Sequence, residues 1–206
     1  MRTTTSLSRV LTAAATAATA AVVLAAPTAA AAAPLPAPAA VSVRPSASAL
    51  HPVAELSAER LATADLVAAA KWGTDSPIDD PAREQQVLDS VAAQAQQLGA
   101  DPDEVRRIFR DQIEANKIVQ RGLFQRWTDH PDQAPTTRPD LAVVRQEINR
   151  INTALVQALA GTAEVRAVPT CHPELAFAAV QVHHADRLDA LHTRALVRSL
   201  RSVCAS

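Results

Sequence analysis

Glycine occurs only four times in the 206 residues, at Gly73, Gly99, Gly122 and Gly161. None of them forms the Asn-Gly or Asp-Gly pair that turns a β-hairpin. No stretch longer than four residues alternates β-branched with polar side chains, so the chain lacks the period-two signal of a half-buried strand. Long runs of Ala, Leu, Gln, Arg and Glu take its place, and these residues lose little rotamer freedom in a helix. The chain therefore reads as all-α: one helical bundle built around a long helix, ending in a helical hairpin.

Five helical segments are expected. The first spans about 57–72, with Ser57 as N-cap. The second spans about 80–98, opened by Asp80-Pro81 and stopped by Gly99. The third starts at Asp101-Pro102 and continues to about Asp129. Its inner stripe runs through Val105, Ile108, Phe109, Gln112, Ile113, Asn116, Val119, Gln120, Leu123 and Trp127. At 1.5 Å per residue it is about 40 Å long, which makes it the expected spine. A loop, HPDQAPTTRPD, leads to a fourth helix over about 139–160. The fifth segment, 173–203, has no Gly or Pro after its first residue.

Residues 1–33 read as a signal peptide. They carry two arginines and no acid, then an Ala/Thr-rich apolar run ending in small residues. Alanine and threonine give too little transfer energy for a stable transmembrane anchor. Residues 34–55, rich in Pro, Ala and Ser, read as a linker. The remaining 56–206 suffices for one domain with one core. Without the leader the chain has 18 basic and 21 acidic residues and no basic run, which argues against nucleic-acid binding. Any anion must be held by a local cluster of cations, against the overall charge. No stable membrane association is expected after the leader is removed, and the exported chain is expected to be secreted or periplasmic.

Two cysteines, Cys171 and Cys204, are present. An even pair in an exported protein reads as a disulfide, and neither residue has the CxxC spacing of a metal site. In one straight helix they would stand about 50 Å apart, whereas a disulfide needs Cα atoms within about 7 Å. If the bond forms, the last segment must fold back, and the break is expected near His184 to Asp186. Closing a loop of this length is worth about 3–4 kcal/mol. His172, His183, His184 and His192 show no HExxH spacing, and no metal is expected.

Arg60 and Lys71 are eleven residues apart. At 100° per residue they share one helix face, with Cα atoms about 16 Å apart. Arg83 and Glu84 follow in the first turn of the next helix, behind the segment GTDSPIDDP, with Asp80 at its start. Asn116 and Gln120 are four residues apart, two amides on an otherwise apolar stripe. Taken singly, each cation is a solvated surface charge, and the amide pair is a hydrogen bond between helices. Together they are expected to converge on one small anion.

The pattern R-x(10)-K-x(8)-D-x(2)-R-E, followed by DQIEANKIVQ and DLAVVR, resembles the all-helical chorismate mutases, above all their exported (gamma) subclass. The resemblance covers about Arg60 to Cys204, including the cysteine pair. It implies that Arg60, Arg83 and Arg145 bind substrate carboxylates. It gives Lys71 a contact with both a carboxylate and the ether oxygen, and Gln120 the role of second donor to that oxygen. Asp80 and Glu84 match positions near the substrate hydroxyl. Asn116 stands where the family often has a small hydroxyl residue, and Val87 falls in the pocket wall. The implied catalytic set is Lys71, Gln120 and Arg83, with no cofactor. The implied partner is the small molecule chorismate, and a homodimer is compatible with the family. Two other functions fit the same architecture: an isochorismate pyruvate lyase, and a non-catalytic secreted helical binding protein.

Overall fold

The computed structural model describes residues 48–205, so the expected signal peptide and most of the expected linker lie outside the described residues. Seven α-helices and no strand occur among those described. They are α1 (His51–Lys71), α2 (Pro81–Gln97), α3 (Pro102–Asp129), α4 (Leu141–Gly161), α5 (Ala163–Arg166), α6 (Cys171–Asp186) and α7 (Ala190–Ser199), with a 3-10 turn at Pro131–Gln133 after α3.

The all-α reading holds, but α1 begins six residues before the expected Ser57, inside the stretch read as linker. No side chain caps its start. Pro52 sits in its first turn, and Leu50, Val53 and Ala54 are fully buried beneath it. Ser57 is not an N-cap. It lies inside the helix, donates its hydroxyl to the Val53 carbonyl at 2.7 Å, and accepts from Gln112 Nε2 at 2.8 Å. Twelve of the 21 residues of α1 are buried, because it packs against α3, α4, α6 and α7. The helix expected as spine, α3, is the longest at 28 residues, but it shares the centre with α1.

Local chemistry sets the starts of α2, α3 and α4. Asp80 accepts from the Arg83 amide, Asp101 from those of Asp103 and Glu104, and Asp140 from that of Ala142. Each satisfies a backbone donor left free by the first turn. At the end of α1, Trp72 packs edge-on against Phe124 and Trp127 of α3, with ring centroids 5.0 and 5.4 Å apart. Both tryptophans thus anchor helices.

The chain reverses after α6 at Arg187, a non-glycine residue in the left-handed region (φ 52°). The reversal comes just after the expected break and brings Cys171 and Cys204 together in a disulfide with Cα atoms 5.8 Å apart. The two arms touch each other little. Each packs on α1, and α7 also lies along α3. Gly122 of α3 makes that crossing close: a Cβ there would stand 2.7 Å from the Leu191 methyls. A buried ion pair that the sequence did not reveal supports the same end. Arg166 is 1% exposed. It meets Glu104 of α3 at 2.5 and 3.3 Å and donates to the Leu159 and Val203 carbonyls.

Four of the helices form a closed ring of contacts. α1 touches α3 and α4, and α2 touches the same two.

Candidate active site

Inside that ring lies a cavity, and all eight expected site residues line it. α1 contributes Arg60 and Lys71. α2 contributes Arg83 and Glu84, with its cap Asp80. α3 contributes Asn116 and Gln120, and α4 contributes Arg145. Val67, Ile78, Val87, Ile113, Leu141 and Ile148 supply apolar wall between them. Val87 is the wall residue expected from the sequence; the others were not singled out.

Arg60 is 5% exposed. Its Nε donates to Asn152 Oδ1 and its Nη1 to the Gln112 carbonyl, both at 2.9 Å. These bonds hold the guanidinium between α1, α3 and α4 without neutralising it. Burial alone lowers its pKa to about 10. Lys71 is also buried and donates to the Pro77 carbonyl at 2.7 Å. Burial lowers its pKa; nearby Asp80 opposes the shift and Arg145 adds to it. Arg83 reaches only Gln86 Oε1, at 3.2 Å. Among the described residues, none of Arg60, Lys71, Arg83 and Arg145 lies within salt-bridge distance of a carboxylate. Four unpaired cations around one cavity make a strongly positive potential in a chain that is acidic overall.

The amide pair faces the same space. Gln120 is 3% exposed, and its Nε2 donates to Asn116 Oδ1 at 2.7 Å. Its Oε1 is buried without a partner. Turning both amides over together keeps the 2.7 Å contact and makes the unpartnered atom an N–H donor.

Sequence reasoning missed a second lysine in the wall. Lys117 is 8% exposed and lines the cavity, but unlike Lys71 it is saturated with anions. Its Nζ lies 3.3 Å from Asp79, 3.2 Å from Glu84 and 2.5 Å from Glu114. Its position three residues before Gln120 and four after Ile113 was the available signal. A lone lysine in a helix reads as a solvated surface charge, and that hid it. The histidines stand apart. His192 bridges Asp65 and Asp189 away from the cavity, and no metal-binding cluster occurs among the described residues. No helix among those residues is long and apolar enough to cross a membrane.

The chain is similar to known proteins over most of its described length. Residues 53–121 match the family model "Chorismate mutase type II", a span that holds every expected site residue but Arg145. The secreted chorismate mutase of Mycolicibacterium smegmatis is 38% identical over 155 residues, 75% of this chain and 86% of that protein. Its counterpart in Mycobacterium tuberculosis is 34% identical over 75% of this chain and 78% of its own length. Among solved structures, the chorismate mutase of Burkholderia phymatum superposes with a TM-score of 0.73 at 37% identity, over 77% of this chain and 97% of that one. An all-helical frame, a cavity ringed by unpaired cations and relatives matched over most of their length lead to one conclusion: the chain belongs to the chorismate mutase type II family and is an isomerase of that class.

Proposed function

We propose that this chain is an exported enzyme that rearranges chorismate to prephenate, with the carboxylates held by Arg60, Arg83, Arg145 and Lys71. The observation that carries the reading is the set of four cations without counterions around one cavity. Arg60 is the sharpest case, because its charge is costly to bury and no carboxylate among the described residues neutralises it. A dianion would complete the set, and the planar guanidinium fork suits each carboxylate.

The rearrangement breaks one C–O bond as it forms one C–C bond within the same molecule. It therefore needs a compact conformer and a matched field more than a nucleophile. Clamping both carboxylates restricts the substrate to shapes near the reacting one. Negative charge grows on the ether oxygen as the C–O bond lengthens. Lys71 has two N–H groups left after its bond to Pro77, and Gln120 has an N–H free in either amide orientation. Donated from α1 and α3 to that oxygen, each bond is worth about 3–4 kcal/mol, a hundredfold to a thousandfold in rate. Asp80 and Glu84 would accept from the substrate hydroxyl. Asn116 would fix the Gln120 amide. Export rests on the leader-like residues 1–33 and agrees with the disulfide.

The test is loss of chorismate absorbance with the purified chain. Lys71→Ala and Arg83→Ala should keep the helical fold and cut turnover at least about a hundredfold. Near-parental rates in either variant, or pyruvate release from isochorismate in place of chorismate loss, would overturn the assignment.

A further inference from the structure

Two lysines line the cavity, and the structure gives them opposite surroundings. Lys71 has no carboxylate within salt-bridge distance among the described residues and keeps two N–H groups free. The three N–H groups of Lys117 face three carboxylates, one each from the α1–α2 loop (Asp79), α2 (Glu84) and its own helix (Glu114). No proton remains with which Lys117 could bind a ligand. The same carboxylates keep it charged: burial opposes the ammonium, but hydrogen bonds with Glu114, Glu84 and Asp79 outweigh it and hold the pKa above its ordinary value.

We propose that Lys117 is a positioning residue for substrate binding: through its contacts it fixes the Glu84 carboxylate in the cavity wall, pins the α1–α2 loop to α3, and offsets one unit of the negative charge that they would present to a dianion. The inference rests on the functional reading above. The loop is tied at several points. Arg121, one turn beyond Lys117 on α3, takes both oxygens of Asp79 at 2.7 Å. Two residues earlier, the Pro77 carbonyl accepts from Lys71. Lys117 thus connects the wall that holds Glu84 to the loop that holds the free lysine. Three carboxylates, Asp79, Glu84 and Glu114, here face two cations, Lys117 and Arg121, so the cluster carries one net negative charge. Without the Lys117 charge, the wall of a site built for an anion becomes one unit more negative.

That charge acts alike on the bound substrate and on its transition state, since the two carboxylates stay ionised throughout. The loss should fall on KM rather than kcat. Lys117→Met keeps the stem and removes the charge, and KM for chorismate should rise about tenfold or more while kcat changes far less. Lys117→Arg keeps the charge and should restore most of the affinity. Coupling to Glu84 is read from a cycle of Lys117→Met, Glu84→Gln and the double variant: with Glu84→Gln present, Lys117→Met should cost less than about threefold. An unchanged KM in folded Lys117→Met, a failure of Lys117→Arg to rescue, or equal losses with and without Glu84→Gln would each overturn the proposal. If Lys117→Met does not fold, the cycle is run with Lys117→Gln, whose amide still donates to the carboxylates. Lack of turnover by the parent chain would reject the functional reading itself, whereas an active parent with independent effects rejects only the role of Lys117.

Discussion

Replacing Gln120 with glutamate separates hydrogen-bond donation from shape, because the two side chains are nearly isosteric. Glutamine donates at every pH, whereas glutamate donates only when protonated. In the parent, one N–H of Gln120 is held by Asn116 at 2.7 Å and the other is available. The site is 3% exposed, so burial raises a carboxyl placed there above the ordinary value of about 4.3, while the nearby cations pull it back down. The balance of the two sets the pH at which the variant titrates. Above it the donor is lost and a negative charge faces the developing oxyanion, so kcat/KM falls tenfold per pH unit. At pH 7.5, with the carboxylate ionised, the Gln120→Glu variant should be about a hundredfold or more slower than the parent, and the gap should narrow as the pH falls. Gln120→Leu should lose about a hundredfold to a thousandfold at every pH. Following chorismate absorbance from pH 4.5 to 8.5 gives the three profiles. A flat, fast Gln120→Glu profile would refute the donor role, as would a parent whose own activity falls steeply between pH 5 and 7.5.

Two further outcomes concern stability. His192 donates from Nε2 to Asp65 of α1 at 3.1 Å and from Nδ1 to Asp189, the cap of α7, at 2.7 Å. Its bond to Asp65 raises its pKa to about 9, against the effect of burial and with help from Asp189. Because the folded value lies above the unfolded one, this clamp stabilises fully below pH ~6.5 and is lost as pH rises through about 9. His192→Gln should cost on the order of 1 kcal/mol at pH 6, after solvent screening of this partly exposed group, and almost nothing at pH 9.5. A pH-independent difference in urea midpoints would contradict it. Replacing both cysteines with serine should cost about 3–4 kcal/mol of stability. Neither cysteine lines the cavity, so turnover well below the melting temperature should be kept; a variant that melts normally but is inactive would show that the α6–α7 end shapes the site.

Where the fold could be read ahead, the signal was local. Asp80-Pro81 and Gly99 bracket α2 because a cap, a ring-fixed φ and a left-handed glycine act within one turn. Ser57 misled for the same reason. A serine before an apolar run looks like a cap, but its hydroxyl is spent inside α1 and on Gln112, a residue 55 positions away. The true start relies on burial of Leu50, Val53 and Ala54, which only the packed bundle supplies. The four cations and two amides were legible as a set through their spacing and the family resemblance, and they line one cavity. The partners that orient them were not: Asn152 lies 92 positions from Arg60, and Lys117 has the composition of a surface residue. Arg166 was missed because a fully buried arginine depends on Glu104, 62 positions away.

The ring formed by α1, α2, α3 and α4 has a consequence of its own. All eight side chains proposed to hold or act on the substrate come from one polypeptide. If that set suffices, output per molecule should not change with dilution, because a solitary molecule far from its siblings carries the whole of it. Whatever drives two such chains together would answer to durability or control rather than to the chemistry.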